Sequence, residues 1–567
     1  MTQTPNSATE FALELLTGFV SAGVRDIVVS PGSRSQALAL AAAALERVGA
    51  LNLHVHIDER SAAFVALGLA IETRTPVLVV TTSGSAVANL HPAVLEAFHS
   101  AVPLVLLTAD RPEELRGIGA NQATDQVGIF GSATRWVRDV HAPSSSAAST
   151  APDASAARSL AREAFAAAAG LSSPAGPVQL NIAFRDPLSG PIGTVPSSTP
   201  EPFRSPTLST TPISAEPRTV VIAGHSAGPE AEAVAHALNA PLIAEVSSGA
   251  RFGRNLIVAY RQLLADRDLG GRIERAIVFG HPTLSREVPS LLEREGVEVI
   301  VVRSGGEEYN PGRRVAQFVD AVTVTDAGPP SPAADEWLRS WVEASRAIRG
   351  AAAANEPFDA DAARTDDKSA VAEFARTQLA VFRQPVTREA LVGAVWNATW
   401  PHDRLVFAAS RLIRDADRTV PGKRISVHAN RGLAGIDGTI ATSVGIARAS
   451  QRVEGSSAAG VTRVVLGDLA ALHDAGSLLT APGETAVHIQ LIIGNDGGGT
   501  IFDKLEVAAT ADRDLFDRVL YTPHTARFDA LAEAFGWDYV RATNRGELDE
   551  ALTASSSRRI IEVPLER

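Results

Sequence analysis

Two tracts near the C-terminal end of the chain carry the residue types that a divalent cation and a diphosphate need. The apolar run 461–466 ends in Gly467-Asp468, and the run 487–493 ends in Gly494-Asn495-Asp496-Gly497-Gly498-Gly499. Both runs read as buried parallel strands. Ligands bind beyond the carboxyl ends of strands in an open parallel sheet, so the two tracts point at one crevice. One carboxylate, one amide oxygen and a turn with free carbonyls form a hard-oxygen set suited to Mg²⁺, which keeps few protein ligands and adds phosphate and water. Glycine also lets the main chain approach a diphosphate closely. A strand-end aspartate capping a helix, beside a simple Gly/Asn turn, would leave the same residues, and on these tracts alone both readings stand.

The elements that must position these residues fall into three blocks. Residues 1–186 alternate short apolar runs (27–29, 53–57, 76–80, 104–107) with alanine-rich helical stretches, the pattern of a parallel sheet wrapped by helices. The Pro/Ser/Thr-rich segment 187–217 reads as an extended linker. Residues 218–350 repeat the alternation with runs at 219–224, 275–280 and 297–302. An Ala- and Asp-rich second linker with a helix in it, 351–385, leads to the last block, 386–567, which holds both tracts and at least four further strands. The expected fold class is α/β, three consecutive doubly wound parallel-sheet domains.

Composition narrows the function. The chain is 45% hydrophobic and 20% charged, as in ordinary globular proteins. No apolar run is long enough for a membrane span, and the first residues lack a basic region and apolar core, so no signal peptide is expected. Cysteine is absent, which excludes disulfides and thiol catalysis and fits a cytoplasmic location. Net charge is -12 and lysine occurs only at Lys368, Lys423 and Lys504, so nucleic acid is not an expected partner. Nearly all positive charge is arginine, which grips carboxylates with a bidentate fork.

The Gly-Asp…Asn spacing resembles the thiamine diphosphate motif. Further tracts occur in order: Ser30-Pro31-Gly32-Ser33-Arg34-Ser35, Asp58-Glu59-Arg60-Ser61-Ala62, the segment 82–90, Thr108-Ala109-Asp110-Arg111-Pro112, Ala120-Asn121-Gln122, and Asn430-Arg431-Gly432-Leu433-Ala434-Gly435-Ile436-Asp437-Gly438. Together they resemble the 2-succinyl-5-enolpyruvyl-6-hydroxy-3-cyclohexene-1-carboxylate synthase family of menaquinone biosynthesis, over nearly all of the first and last blocks and weakly in the middle one.

The resemblance implies thiamine diphosphate with Mg²⁺ or Mn²⁺, a pyrimidine-binding domain at 1–186, a diphosphate-binding domain at 386–567, and a homodimer or dimer of dimers. It implies Asp468, Asn495 and the carbonyl of Gly497 as metal ligands, flanked by Gly467 and Leu469 at the cofactor. It makes Glu59 the carboxyl that hydrogen-bonds N1′ of the aminopyrimidine; the alternative is that Asp58-Glu59 only caps a helix. Ile436 would support the bent cofactor, or be a core isoleucine, and Ile501 and Phe502 would wall the pocket.

The family decarboxylates 2-oxoglutarate and adds the resulting carbanion to isochorismate, two small-molecule substrates with four carboxylates between them. Ser33 and Arg34 read as a helix N-terminus, an anion site; by resemblance Arg34, Arg111, Asn121 and Gln122 serve isochorismate and the intermediate, whereas Ser410, Arg414 and Arg431 hold the succinyl or ring carboxylates. Arg286 would reach in from the middle block. His54, His56, His473 and His488 read as structural. The sequence departs from the family pattern at Gly494, at Ala409 and in a glycine turn one residue longer than usual, which bears on Ile501 and Phe502. The alternatives are another thiamine diphosphate-dependent 2-oxo acid decarboxylase or carboligase, which would not need so many arginines, and a cofactor-free α/β scaffold, which would not need Glu59, Asp468 and Asn495.

Overall fold

The structure, a computed structural model, describes residues 6–143, 154–195, 208–214, 218–325, 331–353, 367–453, 455–553 and 557–567. Three parallel sheets follow one another along the chain. The first contains β1 (Asp26–Val29), β2 (Asn52–Val55), β3 (Val77–Thr81), β4 (Leu104–Asp110), β5 (Trp136–Val140) and β6 (Val178–Ala183) in the order β2-β1-β3-β4-β6-β5. After β7 (Thr210–Ile213), the middle sheet is built from β8 (Thr219–Ala223), β9 (Leu242–Ala244), β10 (Arg275–Phe279), β11 (Glu298–Val302) and β12 (Gln317–Val319), ordered β12-β11-β10-β8-β9, and β13 (Ala321–Val324) pairs with β7. The last sheet holds β14 (Arg404–Phe407), β15 (Ser426–Ala429), β16 (Thr462–Gly467), β17 (Ile489–Asn495), β18 (Asp538–Arg541) and β19 (Arg558–Pro564) in the order β15-β14-β16-β17-β19-β18. Counted from its own first strand, the last sheet repeats the order of the first. The fold is therefore α/β with consecutive doubly wound sheets, as expected from the alternation of runs.

Strands β3, β4 and β6 are buried at every position, which explains their unbroken apolar runs: helices cover both faces of each sheet. The run 53–57 yields a strand that ends at Val55, because the chain then turns into Asp58, whose side chain caps the next helix. Within 187–217, residues 196–207 and 215–217 lie outside the described residues, and β7 lies between them. Within 351–385 the helix Lys368–Phe382 is described and 354–366 are not. Among the described residues no helix is long and apolar enough to cross a membrane.

The first and last blocks meet through the helices Glu59–Thr73 and Thr439–Arg452, whose middles are buried all round. Small residues make this possible. A Cβ on Gly68 would stand 2.0 Å from the carbonyl oxygen of Thr442, and one on Gly445 would stand 2.1 Å from that of Val65. The main chains touch where side chains would otherwise separate them. Charged pairs fix the rim of the contact. Arg452 binds Asp26 with both terminal nitrogens at 2.6 and 2.9 Å, and Arg448 pairs with Glu484 at 2.9 Å. Arg448 also donates to His54 Nδ1 and His56 Nε2, both at 3.2 Å, so these histidines sit inside the interblock network.

Glu72 completes the rim, receiving Arg404 at 2.6 Å with His428 at 3.4 Å. Burial alone would raise its carboxyl, but the hydrogen bonds from His428 and Arg404 outweigh burial and bring it down to about 2 from an ordinary 4.5. A carboxyl lowered in the folded state adds stability above its unfolded value, and that stability is lost as pH falls from about 4.5 toward 2. Glu72→Gln is therefore expected to lower unfolding stability at pH 6 by up to about 3 kcal/mol. The gap should shrink at pH 3. Urea unfolding at the two pH values measures it, and an equal gap at both would remove the ion pair as the cause.

Candidate active site

Strands β16 and β17 pair so that Gly467 stands opposite Gly494, which sets Asp468 beside Asn495 at the carboxyl edge of the last sheet. Asp468 is buried, its Oδ1 accepting from the Leu469 N–H at 2.7 Å and its Oδ2 from His524 Nε2 at 3.1 Å. The Ala526 N–H donates to Nδ1 of the same ring, which leaves the proton on Nε2. Burial raises the Asp468 carboxyl above its usual range; the His524 bond opposes this and the charge of Asp496 reinforces it. Asn495 gives its Nδ2 to Glu562 at 2.8 Å and turns Oδ1 toward the glycine turn, where the Gly497 N–H reaches it at 3.1 Å. The carbonyl of Gly497 accepts no hydrogen bond among the described residues.

A buried carboxylate without arginine or lysine, an amide oxygen held by its own nitrogen's partner and an unclaimed carbonyl fit a small hard cation bridging to phosphate. The glycines have a further cause that the sequence reading did not include. Gly497 has φ +79, and a Cβ there would meet the Tyr521 hydroxyl at 2.8 Å; one on Gly498 would stand 2.4 Å from the Tyr521 carbonyl. Tyr521 donates its hydroxyl to Asp496 O, and its own carbonyl accepts from the Gly499 N–H. The turn is thus shaped by an aromatic side chain as well as by any diphosphate. The aspartate beside it is not free: Asp496 pairs with Arg388 at 2.6 Å.

Glu59 opens its helix at a half-buried position. Asp58 does the capping, accepting from the Arg60 N–H at 3.0 Å and the Ser61 hydroxyl at 2.8 Å. Glu59 itself has no hydrogen bond or ion pair among the described residues, so its carboxyl remains available to a ligand. The neighbouring Arg60 reaches the carbonyl of His473, the last residue of the helix that Asp468 begins, at 3.0 Å.

The arginines gather in two places. At the carboxyl end of the first sheet, the Arg34 N–H donates to Thr82 Oγ1 at 3.3 Å and its Nη1 to the Phe184 carbonyl at 3.0 Å, while its Nε is buried without a partner. Arg111 donates to the Ser83 hydroxyl and the Asn121 carbonyl. Gln122 brackets Ser83, donating to its carbonyl and accepting from its hydroxyl, both at 2.9 Å. Burial and the charge of Arg111 lower the Arg34 guanidinium. Ser33 and Asn121 are exposed beside this cluster. In the last block Ser410 caps the helix Arg411–Thr419 through the Leu412 N–H, and Arg414 returns to the Ser410 carbonyl at 2.9 Å. Arg431 is buried against the middle block, its Nε on Thr283 Oγ1 at 2.9 Å. Burial lowers both Arg414 and Arg431.

Not every expected residue joins these groups. Arg286 is exposed and its side chain has no partner among the described residues; only its place on the Thr283 loop relates it to Arg431. Ile436 is 40% exposed, which excludes the core-isoleucine alternative within this chain. Ile501 and Phe502 lie half-buried in the turn Thr500–Lys504, the Phe502 ring against Gly499. A Cβ on Gly494 would meet the Leu565 and Leu412 side chains at 2.8 and 2.9 Å, so the departure there is occupied by packing. Sequence reasoning missed His524, Ser83, Thr283 and Tyr521. It also missed Glu96, a buried carboxylate that takes the N–H groups of Gly432 and Leu433 at 2.7 and 2.8 Å and so holds the Arg431 loop. None of these stands within a recognisable tract except Ser83, and only the Gly84 that follows it signalled a tight turn.

Residues 12–129 match the family model described as thiamine pyrophosphate enzyme, N-terminal TPP binding domain. The crystal structure of benzoylformate decarboxylase from Polynucleobacter necessarius superposes with a TM-score of 0.65 at 15% identity, covering 99% of each chain, which shows a shared fold. The 2-succinyl-5-enolpyruvyl-6-hydroxy-3-cyclohexene-1-carboxylate synthase of Leifsonia xyli subsp. xyli (strain CTCB07) is 55% identical over 100% of this chain and 98% of its own length. That of Clavibacter michiganensis subsp. michiganensis (strain NCPPB 382) is 53% identical over 100% and 97%. Identity of this order from end to end makes the chain a member of the 2-succinyl-5-enolpyruvyl-6-hydroxy-3-cyclohexene-1-carboxylate synthase family.

Proposed function

We propose that this chain decarboxylates 2-oxoglutarate and adds the succinyl unit to isochorismate, releasing CO₂, as the carboligase its relatives are named for. One observation carries the reading. Arg34, Arg111, Arg414 and Arg431 are buried or half-buried, and none has a carboxylate within ion-pair distance among the described residues, in a chain that pairs many of its other arginines. Desolvated cations without a counter-charge fit substrates that bring four carboxylates.

Thiamine diphosphate, when bound, supplies the carbanion chemistry that neither substrate undergoes alone. Asp468, Asn495 and the Gly497 carbonyl would hold Mg²⁺ or Mn²⁺ at its diphosphate, with Gly467 and Leu469 beside it. Glu59 would hydrogen-bond the aminopyrimidine N1′ from its half-buried place at the start of the helix. Ile436, Ile501 and Phe502 wall the reacting centre. Ser33, Arg34, Arg111, Asn121 and Gln122 orient isochorismate; Ser410, Arg414 and Arg431 orient carboxylates from the last block. Residues 1–186, 218–350 and 386–567 act as pyrimidine-binding, central and diphosphate-binding domains of a cytoplasmic homodimer or dimer of dimers, and each site is shared between two chains.

In the presence of thiamine diphosphate and Mg²⁺ the purified protein is expected to consume isochorismate only with 2-oxoglutarate, with matching CO₂. Equal turnover with pyruvate or benzoylformate would replace the reading with a general decarboxylase. Asp468→Ala should abolish cofactor binding by calorimetry while circular dichroism stays unchanged, because a diphosphate without its cation faces backbone donors alone. Retained affinity would remove Asp468 as a ligand.

Site sharing has its own test. Glu59→Gln and Asp468→Ala are each expected to be inactive, but a mixed dimer places both lesions in one site and leaves the other intact. Random exchange of subunits should restore roughly a quarter of full activity under two-fold symmetry. No recovery, with exchange verified by differently tagged chains, would mean that each site is built within one chain.

A further inference from the structure

The middle block contributes no residue to the metal and cofactor set, yet its Thr283 receives the Arg431 side chain. Glu245, at the end of β9, is buried and uses its carboxylate on main-chain N–H groups: Oε1 accepts from Thr283 at 2.8 Å and from Leu284 at 2.6 Å, and Oε2 from Thr283 at 3.1 Å. The loop so fixed presents Thr283 to the last block. Arg431 places Nε on the Thr283 hydroxyl at 2.9 Å and Nη2 on its carbonyl at 3.2 Å. Its remaining nitrogen, Nη1, is buried without a partner, on a side chain with 4% of its surface exposed. A desolvated N–H of a cation costs free energy unless something accepts from it.

The base of this relay is rigid. The Val246 N–H, next in sequence, donates to Asp417 Oδ1 at 2.7 Å, and Tyr260 and Arg261 bind the other oxygen at 2.7 and 2.6 Å. Asp417 lies three residues after Arg414 on the helix Arg411–Thr419. One dipeptide of the middle block therefore touches both the Thr283 loop and the helix that carries Arg414, and the charge of Arg414 bears on Arg431.

We propose that Glu245 is a positioning residue for substrate binding: by clamping the Thr283 loop it turns Arg431 so that Nη1 is left for a substrate carboxylate. This rests on the proposed function for the nature of the ligand, and on geometry for the relay. Two of the three guanidinium nitrogens are spent on Thr283, so the direction of the third is set from the middle block. Glu245 reaches the substrate only through Thr283 and Arg431, so its removal should weaken binding of the same carboxylate that Arg431 binds.

A double-mutant cycle tests this. Arg431→Ala identifies which of 2-oxoglutarate and isochorismate loses KM. Glu245→Ala is expected to raise that same KM about tenfold or more, the size of one charge-assisted hydrogen bond. It should change kcat less and leave the calorimetric affinity for thiamine diphosphate unaltered. Glu245→Ala added to Arg431→Ala should raise KM no further, because coupled residues are not additive. Glu245→Gln keeps the oxygen that takes both N–H groups and should recover most of the loss. Additive effects, or an unchanged KM in a folded variant, would overturn the relay. If Glu245→Ala does not fold, Thr283→Val takes its place in the cycle with the same expectation. If the wild type fails to consume isochorismate with 2-oxoglutarate, the proposed function falls, and hydrogen exchange over residues 429–434 then decides the relay. Faster exchange in the folded variant supports it, and unchanged exchange overturns it.

Discussion

Where the helices Glu59–Thr73 and Thr439–Arg452 cross, a carbonyl oxygen of each lies where a side chain of the other would have to begin. That contact sets the distance between the first and last sheets, and the arrangement at their carboxyl ends inherits it. Glu59 is the first residue of one helix, and Gly438, with φ +66 and the Phe64 ring against it, precedes the other. A carboxyl on one block and the loop 430–438 on the other are thus tied to a single main-chain spacing. Such a contact tolerates no added methylene, since a close-packed interior answers extra volume with displacement of whole elements. The ion pairs around it, Asp26 with Arg452 and Glu72 with Arg404, keep the helices from turning about their crossing point.

The arginines divide into two populations. Some at the boundary between the first and last blocks have carboxylates within 3 Å, as Arg452 has in Asp26. Those at the sheet ends have hydroxyls and carbonyls instead, which fix direction without neutralising charge. Burial of several like charges costs folding free energy. Held by Ser83, Thr283 and main-chain oxygens, these guanidiniums are oriented before any ligand arrives, which is the condition for strong electrostatic recognition.

The fold was legible in the sequence because it rests on short-range patterns. Unbroken apolar runs marked strands covered on both faces, and Gly467-Asp468 and Gly494-Asn495 marked where two of them end. Resemblance to a family named Arg34, Arg111, Arg414 and Arg431, and the structure gathers these four into two clusters. What holds them was not legible. His524 lies 56 positions from Asp468, and Glu96 lies 336 from Gly432, with no local signal in either case. Tyr521 was invisible for another reason: a glycine-rich turn looks the same whether a phosphate or an aromatic ring excludes its side chains. Arg286 stands apart from both clusters: resemblance named it, and its side chain is exposed with no partner among the described residues.

The two outer sheets share one strand order, β2-β1-β3-β4-β6-β5 in the first and the same sequence of positions in the last. The arginine cluster of the first sheet follows its first, third and fourth strands, and the set at Asp468 and Asn495 follows the third and fourth strands of the last. One crevice has filled with guanidiniums and amides, the other with a carboxylate, an amide oxygen and an open carbonyl. One strand order thus serves twice in the chain, with different side chains set at corresponding strand ends. Side chains at one crevice can therefore change without altering the strand order that positions those at the other.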